Sequence, residues 1–436
     1  MLLRRFRAND VDPAQLINRR EEFEWLTEVI GDYLRNPDPQ SHTPLSFCVL
    51  GEKGVGKTIF TRAVIREARQ HFSDRALFVE VDCRGRRSAK GVIDLIAKEI
   101  VAALHNMKMP FEKTDGESKV LGQLLETAQA LAAITRFDEV ELEEIHKHLR
   151  QFTTVTQLKG EQAFLRVLKL DFQISLEKRD SESAGLTGKV RFDELRLCNA
   201  LKALLSDIRA SELDVVLYLD NMDELFHHYV APDDRSHARR DTNTLLTLRE
   251  APIIFIVNMR TYYSGILPRE IESRCVLPKL PANELAQILE KRLSAESDAV
   301  RAEVKKPDQA AALFTLANAA PTPLAFLSWF KDFFQSNCLT PSLLQQGVQS
   351  FLNKFYSTIP VEVIRRVVET FEKPTSVISH EQLLKACNNN TAELVQLVDR
   401  QAVLPKDFWD PTYYTLDPEL YIVHPASHNL QSASAG

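Results

Sequence analysis

The sequence predicts an α/β fold whose centre is a parallel sheet covered by helices on both faces. Three observations carry that reading. Apolar runs of strand length recur at residues 45–50, 76–83, 213–220 and 252–257, separated by stretches of helical periodicity. The third run, Val215-Val216-Leu217-Tyr218-Leu219, is apolar at every position, as a strand buried on both faces requires. The first run ends in Gly51-Glu52-Lys53-Gly54-Val55-Gly56-Lys57-Thr58 and opens into a helical stretch, residues 59–69. Strand, glycine-rich turn and helix therefore follow in the order a phosphate-binding loop needs.

Each part of that loop has a chemical reason. Glycines let backbone N–H groups close around a phosphate without Cβ clashes, and the helix N-terminus adds the positive end of its dipole. Lys57 is expected to bridge the β- and γ-phosphate oxygens, and the Thr58 hydroxyl to complete a Mg2+ shell. Residues Gly51 to Ile59 are thus expected to hold ATP: Gly51, Glu52, Lys53, Gly54, Val55, Gly56, Lys57, Thr58 and Ile59.

The chain has 436 residues, 44% hydrophobic and 26% charged, enough for about two to four domains with real cores. No stretch approaches the roughly 18 uncharged apolar residues of a membrane span, and Met1-Leu2-Leu3-Arg4-Arg5-Phe6-Arg7 lacks a signal-peptide core. A cytoplasmic protein without membrane partners is expected. The cysteines Cys48, Cys83, Cys198, Cys275, Cys338 and Cys387 stand far apart and read as reduced core residues. A net charge of −6, with both signs mixed, gives no bulk attraction to nucleic acid, so DNA binding would need a local patch.

Upstream of the loop, residues 16–26 open a helical pattern with Phe23, Leu26 and Ile30 on one face. Downstream, the strand at 76–83 runs into the basic turn 84–87 and a helix over 88–104. The run 213–219 then leads to Asp220-Asn221-Met222-Asp223-Glu224. Acids at the carboxyl end of a parallel strand lie where ligands bind such sheets. Asp220 is placed to hold Mg2+ through water, and Asp223 or Glu224 to orient the attacking water. The run 252–257 ends in Asn258-Met259-Arg260, where a polar side chain would lie between the loop and the acids. Asn258 is the first choice there for sensing the γ-phosphate or positioning water, Arg260 the second. Arg274 precedes a further short run and a helix over 284–293; it reads equally as a finger reaching a neighbouring subunit's γ-phosphate or as a surface ion-pair residue.

The order of "INRREEFEWL", "GEKGVGKT", "LYLDNMDEL", "IIFIVNMRT" and "IESRCVLPKL" resembles the AAA+ and STAND branch of the P-loop ATPases, over roughly residues 12–104 and 200–340. The resemblance implies an ASCE/AAA+-type core at 1–280 with an insertion at about 105–200 and a helical lid at 281–340; residues 341–425 read as a separate domain that resembles a winged helix, and the tail 426–436 as disordered. "LDNMDEL" is similar to the NACHT-type acidic pattern. "IESRCVLPKL" is similar to the segment of clamp loaders and origin initiators in which the arginine acts in trans, which favours the finger role for Arg274. By the same match Arg19 and Glu22 fall beside the adenine pocket. Three departures stand out: Asn221 occupies the place of an AAA+ glutamate, the lid segment 316–334 has no arginine, and "APTPL" has Ala in the Gly place of a STAND lid element that would put Pro323 near the nucleotide.

Residues 117–150 read as one or two amphipathic helices. Residues 163–193 read as a hairpin, with Lys178, Arg179, Lys189 and Arg191 supplying charge for DNA or a neighbour. The terminal region predicts helices over 343–356, 361–371, 380–387 and 391–400, then strands through 402–405, 413–416 and 421–423. In initiators such a winged helix binds DNA; in STAND proteins it is an internal clamp. The acidic character of 390–400, with Glu393 and Asp399, favours the clamp. The resemblance implies an ATP-binding and hydrolysing switch, slow and regulatory, that homo-oligomerises with ATP through its nucleotide interfaces. It would signal to a separately encoded effector or sensor protein, as in antiviral defence or mobile-element systems. The alternatives are an initiator- or transposition-regulator-type ATPase on duplex DNA, and a nucleotide-bound scaffold with negligible turnover.

Overall fold

The computed structural model describes residues 19–36, 43–86, 88–107, 115–135, 139–141, 189–191, 193–226, 232–261, 267, 271, 273–355, 358–406 and 412–425. The expected central sheet is present, with five parallel strands: β1 (Leu45–Leu50), β2 (Ala76–Asp82), β5 (Asp214–Asp220), β6 (Ile254–Met259) and β7 (Ser273–Val276). Their order is β2-β5-β6-β1-β7. Two short strands, β3 (Glu139–Glu141) and β4 (Lys189–Arg191), pair antiparallel apart from it. The register sets Asp82 beside Asp220 and Leu50 beside both Met259 and Val276, so four strand ends and the loop after β1 meet at one edge.

Alternate residues of each strand feed opposite layers, which is why the strands read as unbroken apolar runs. On one face Val216, Tyr218, Ile254 and Ile256 pack with Leu26, Ile30 and Leu34 of helix α1 (Arg20–Arg35) and Phe60, Val64 and Ile65 of helix α2 (Lys57–Phe72). On the other, Val215, Leu217, Leu219, Phe255 and Val257 pack against α3 (Ala89–Asn106), α4 (Asp115–Ile134), α5 (Glu194–Ala210) and the region after α6 (Pro232–Leu246). The face expected from Phe23, Leu26 and Ile30 is the one α1 turns inward. Helix α3 starts where Ser88 accepts from the Gly91 amide, and α5 where Asp193 accepts from Arg196, each cap meeting an amide the first turn cannot pair.

The insertion departs from its reading. Residues 139–141, expected in a helix, form β3; helix α4 ends at Ile134. The expected return strand exists as β4, but it pairs with β3, Val190 opposite Val140. The other arm of the expected hairpin, with Lys178 and Arg179, lies outside the described residues.

Beyond the sheet come α7 (Ala282–Leu293), α8 (Asp298–Val304), α9 (Pro307–Ala319) and α10 (Pro323–Gln335). They are followed by α11 (Leu344–Phe355), α12 (Val361–Thr370), strand β8 (Val377–Ser379), α13 (His380–Ala386), α14 (Thr391–Asp399) and strands β9 (Val403–Pro405) and β10 (Tyr413–Leu416). The last three strands form an antiparallel sheet in the order β8-β10-β9. One apolar cluster runs from Leu285 to Val423, so the expected lid and terminal segments share a core. Residues 421–423, expected as strand, belong to a 3-10 helix, Pro418–Val423. Pro418 sits in its first turn, and Asp417 caps it by accepting from the Glu419 amide, chemistry that starts a helical turn and overrides the β-prone Tyr-Ile-Val. Among the described residues no helix is long and apolar enough to cross a membrane.

Candidate nucleotide site

The loop after β1 is built by two left-handed glycines. Gly56, at φ 103°, turns the chain into α2, and Gly54, at φ 81°, lets it pass beneath the start of α10. A Cβ on Gly54 would lie 2.6 Å from Leu324 Cβ and 2.9 Å from Thr322 Oγ1. The Leu324 amide donates to the Gly54 carbonyl at 3.3 Å, so Pro323, just before it, stands beside the loop. Gly54→Ala is therefore expected to cost about 1–3 kcal/mol, from the left-handed backbone and the contact with the lid together. Unfolding of the variant would be followed by melting; an unchanged midpoint would mean the lid does not press on the loop.

Lys57 opens α2, and its ammonium donates to the carbonyls of Gly51 at 2.9 Å and Glu52 at 3.1 Å. Burial pushes its pKa down, against the nearby charges of Asp223 and Asp220. The Thr58 hydroxyl donates to Asp220 Oδ1 at 3.0 Å. Asp220 ends β5 at 1% exposure, and burial pushes its pKa up, opposed by bonds from Tyr218, Asn258 and Thr58. Three of its donors converge on one oxygen: Thr58, the Asn258 amide nitrogen at 3.1 Å and the Asn221 backbone N–H at 3.0 Å all reach Oδ1. Oδ2 is buried with no hydrogen-bond partner. A carboxylate oxygen left bare beside a threonine hydroxyl and a lysine fits a divalent cation brought in with a polyphosphate, the ion taking few protein ligands.

Asn258 lies between loop and acids, as expected, and is fully buried. Its oxygen accepts from Thr61 of α2 at 2.9 Å, and its nitrogen donates to Tyr218 at 2.5 Å as well as to Asp220. It ties the P-loop helix to the acidic strand. Asn221 stands in the left-handed region at φ 55°, which asparagine tolerates better than glutamate, and donates to Asp82 Oδ1 at 2.9 Å. Burial would raise the Asp82 pKa, but the bonds from Arg84 and Asn221 outweigh it and hold it below the usual value.

Asp223 follows on the short turn after β5 and forms a 2.6 Å ion pair with Arg260, both side chains at 5% exposure or less. Arg260 also donates to Gln401, beyond α14, at 3.3 Å. The side chain of Glu224 lies outside the described residues. Arg274 is exposed on β7, the edge strand, paired with Cys48 of β1, and its Nε donates to the Ile271 carbonyl at 3.4 Å. Arg19 is buried; its guanidinium donates to the Pro278 carbonyl at 2.5 Å, and burial pushes its pKa down against the charges of Glu22 and Glu284.

Sequence reasoning missed Tyr218, Thr61, Asp82, Gln401, Asp417 and Glu419 as members of this neighbourhood. Tyr218 carried a signal, since it shares a strand face with Asp220 two residues on. The terminal residues carried none, because their partners are set by packing.

Residues 15–256 match the AAA ATPase domain family. Curated proteins offer no match to the chain. Among solved structures it is similar to the Aeropyrum pernix ORC2 protein in its ADPNP–ADP complexes, at 14% identity over 100% of this chain and 99% of that one, TM-score 0.43. It is also similar to the A. pernix ORC1 protein in complex with DNA, at 14% identity over 96% and 93%, TM-score 0.42. A third similar structure is Cdc6p from Pyrobaculum aerophilum, at 15% identity over 98% and 97%, TM-score 0.41. With a loop that can cradle phosphates, an acidic strand end beside it and a family match over more than half its length, the chain belongs to the AAA ATPase domain family.

Proposed function

We propose that the protein is an ATP-binding and hydrolysing switch that oligomerises with ATP and passes its state to a partner protein. The observation that carries this reading is the bare Oδ2 of Asp220 next to Thr58 and Lys57. In it, Lys57 and the loop amides hold the β- and γ-phosphates and helix α2 adds its dipole. Thr58 and Asp220 would hold Mg2+, which would supply charge neutralisation to the polyphosphate. Asn258 fixes the Asp220 carboxylate by bonding it and the P-loop helix at once. Asp223 orients the attacking water once Arg260 releases it; held as a buried ion pair, it is a poor acceptor for a water proton. Such an arrangement suits slow, regulated turnover.

Exposure of Arg274 on the edge strand supports its role as a finger toward a neighbouring subunit. Helix, strand, two helices and a two-stranded return support a winged-helix reading of the terminal region. Its contacts with the site through Gln401, and Glu393 and Asp399 near the ends of α14, favour an internal clamp over a duplex-binding surface.

Light scattering with Mg2+ and either ATP or ADP tests the reading, paired with phosphate release. A larger, discrete particle is expected with ATP only. Arg274→Ala is expected to bind ATP normally and hydrolyse it at least about tenfold more slowly, within the range a trans arginine supplies. Asp223→Asn is expected to bind ATP and lose turnover. A monomer with both nucleotides would overturn oligomerisation, and wild-type protein without turnover would leave a scaffold.

A further inference from the structure

Lys53, four residues before Lys57 on the same loop, reaches residues near the far end of the chain. Its ammonium lies 2.5 Å from Asp417 Oδ2 and 3.7 Å from Glu419 Oε2. Both acids are deeply buried, Asp417 fully and Glu419 at 5% exposure. Asp417 is held at both its backbone and its side chain: its amide donates to the Ala402 carbonyl at 3.0 Å, and its Oδ1 accepts from the Glu419 amide at 2.8 Å. Glu419 is tied to the lid, where the Trp329 indole N–H donates to its carbonyl at 2.8 Å. The lid in turn meets the loop through Leu324 and Gly54.

Two carboxyl groups sharing one lysine in a buried place are an expensive way to glue a loop down. Removing an acid pair from water costs more than an apolar contact of the same size would return, unless the cation is held in place. Burial and the charge of Asp417 push the Glu419 pKa up, against the charge of Lys53. Lys53 is held by contacts to two buried acids, and its backbone is continuous with the Gly51 and Glu52 carbonyls that hold Lys57.

The structure assigns Asp417 and Glu419 as positioning residues of the phosphate-binding loop, acting through Lys53. They set the shape of the loop from a turn 364 residues away, and through it the grip on nucleotide. A change in the loop on nucleotide exchange is carried by Lys53 to the 3-10 helix that follows Asp417, and from Glu419 to Trp329. The assignment rests on the reading of this loop as the nucleotide site.

The test is a set of titrations of the full-length chain with fluorescently labelled ADP and ATP, with melting run in parallel. Lys53→Met and Asp417→Asn are each expected to weaken ADP binding at least about tenfold and to speed its release, a tenfold change being 1.4 kcal/mol. The double variant is expected to be no weaker than the worse single one, because both remove one interaction. Lys53→Arg keeps the cation and is expected to bind within about threefold of wild type, a difference under 1 kcal/mol. If every variant melts earlier yet binds ADP like wild type, the pair is only structural and the assignment fails. A double variant as weak as the product of the singles also overturns it. Should Asp417→Asn not fold, the comparison of Lys53→Met with Lys53→Arg, at a partly exposed side chain, decides alone. Wild-type protein that binds no nucleotide would instead remove the reading on which the assignment rests.

Discussion

Lys57→Ala is expected to weaken ATP binding by at least about a hundredfold. The ammonium bonds two loop carbonyls, at 2.9 and 3.1 Å, inside the turn that would surround a polyphosphate. Its pKa is pushed down by burial, so the charge stands in a place where water screens it weakly. A phosphate offers it charge-assisted bonds worth about 1.5–3 kcal/mol each, and two such bonds make a hundredfold or more. Lys57→Arg is expected to rescue little, because a planar fork does not fit the seat of a compact ammonium. Anisotropy of a fluorescent ATP analogue reads both variants. A loss smaller than about threefold, under 1 kcal/mol, would move the phosphate site elsewhere.

Asp214→Ala is expected to destabilise the core by about 3–5 kcal/mol, the cost of leaving a buried charge without its partner. Asp214 opens β5 at 1% exposure and accepts from Arg209 Nη1 at 2.6 Å, with the Arg75 guanidinium 3.8 Å from its other oxygen. Arg209 lies in the last turn of α5, and Glu212 between them stands at φ 63°, so the ion pair closes a strained helix-to-strand turn. Replacing both partners by apolar residues, Arg209→Met with Asp214→Leu, is expected to recover most of the loss, since no lone charge remains. Urea unfolding followed by far-ultraviolet circular dichroism measures the difference. A cost under about 1 kcal/mol for Asp214→Ala would place the pair in the class of solvent-screened surface bridges.

The legible part of this protein was local. Residues 51–58 declare a phosphate loop because strand, glycines, lysine and threonine are contiguous, and each part acts through its own backbone or its next neighbour. Asp220 was legible because an acid at the end of an all-apolar strand has few other reasons to be there. The Asn258 position followed from the same logic, but its role sharpened: only the register of β5 beside β6 and of β6 beside β1 brings one carboxamide within reach of Thr61, Tyr218 and Asp220 together. Residues 139–141 and 421–423 were misread for opposite reasons. In the first, pairing with a strand some fifty residues on outweighed a helical pattern. In the second, Asp417 and Pro418 started a tight helical turn that the β-prone side chains could not override.

The sequence by itself determined the α/β class, the strands, the phosphate loop and the acid beside it, because these rest on periodicity and on chemistry within a few residues. Tertiary structure alone decided who answers whom across the site. Arg260 takes Asp223 and Gln401, Lys53 takes Asp417 and Glu419, and Trp329 takes the Glu419 carbonyl. Such pairs join residues from about forty to more than three hundred positions apart, and no local pattern marks them. The physical reason is that a buried charge is selected by the partner the fold delivers to it, and the strand order β2-β5-β6-β1-β7 with the shared core of Leu285 to Val423 makes that delivery.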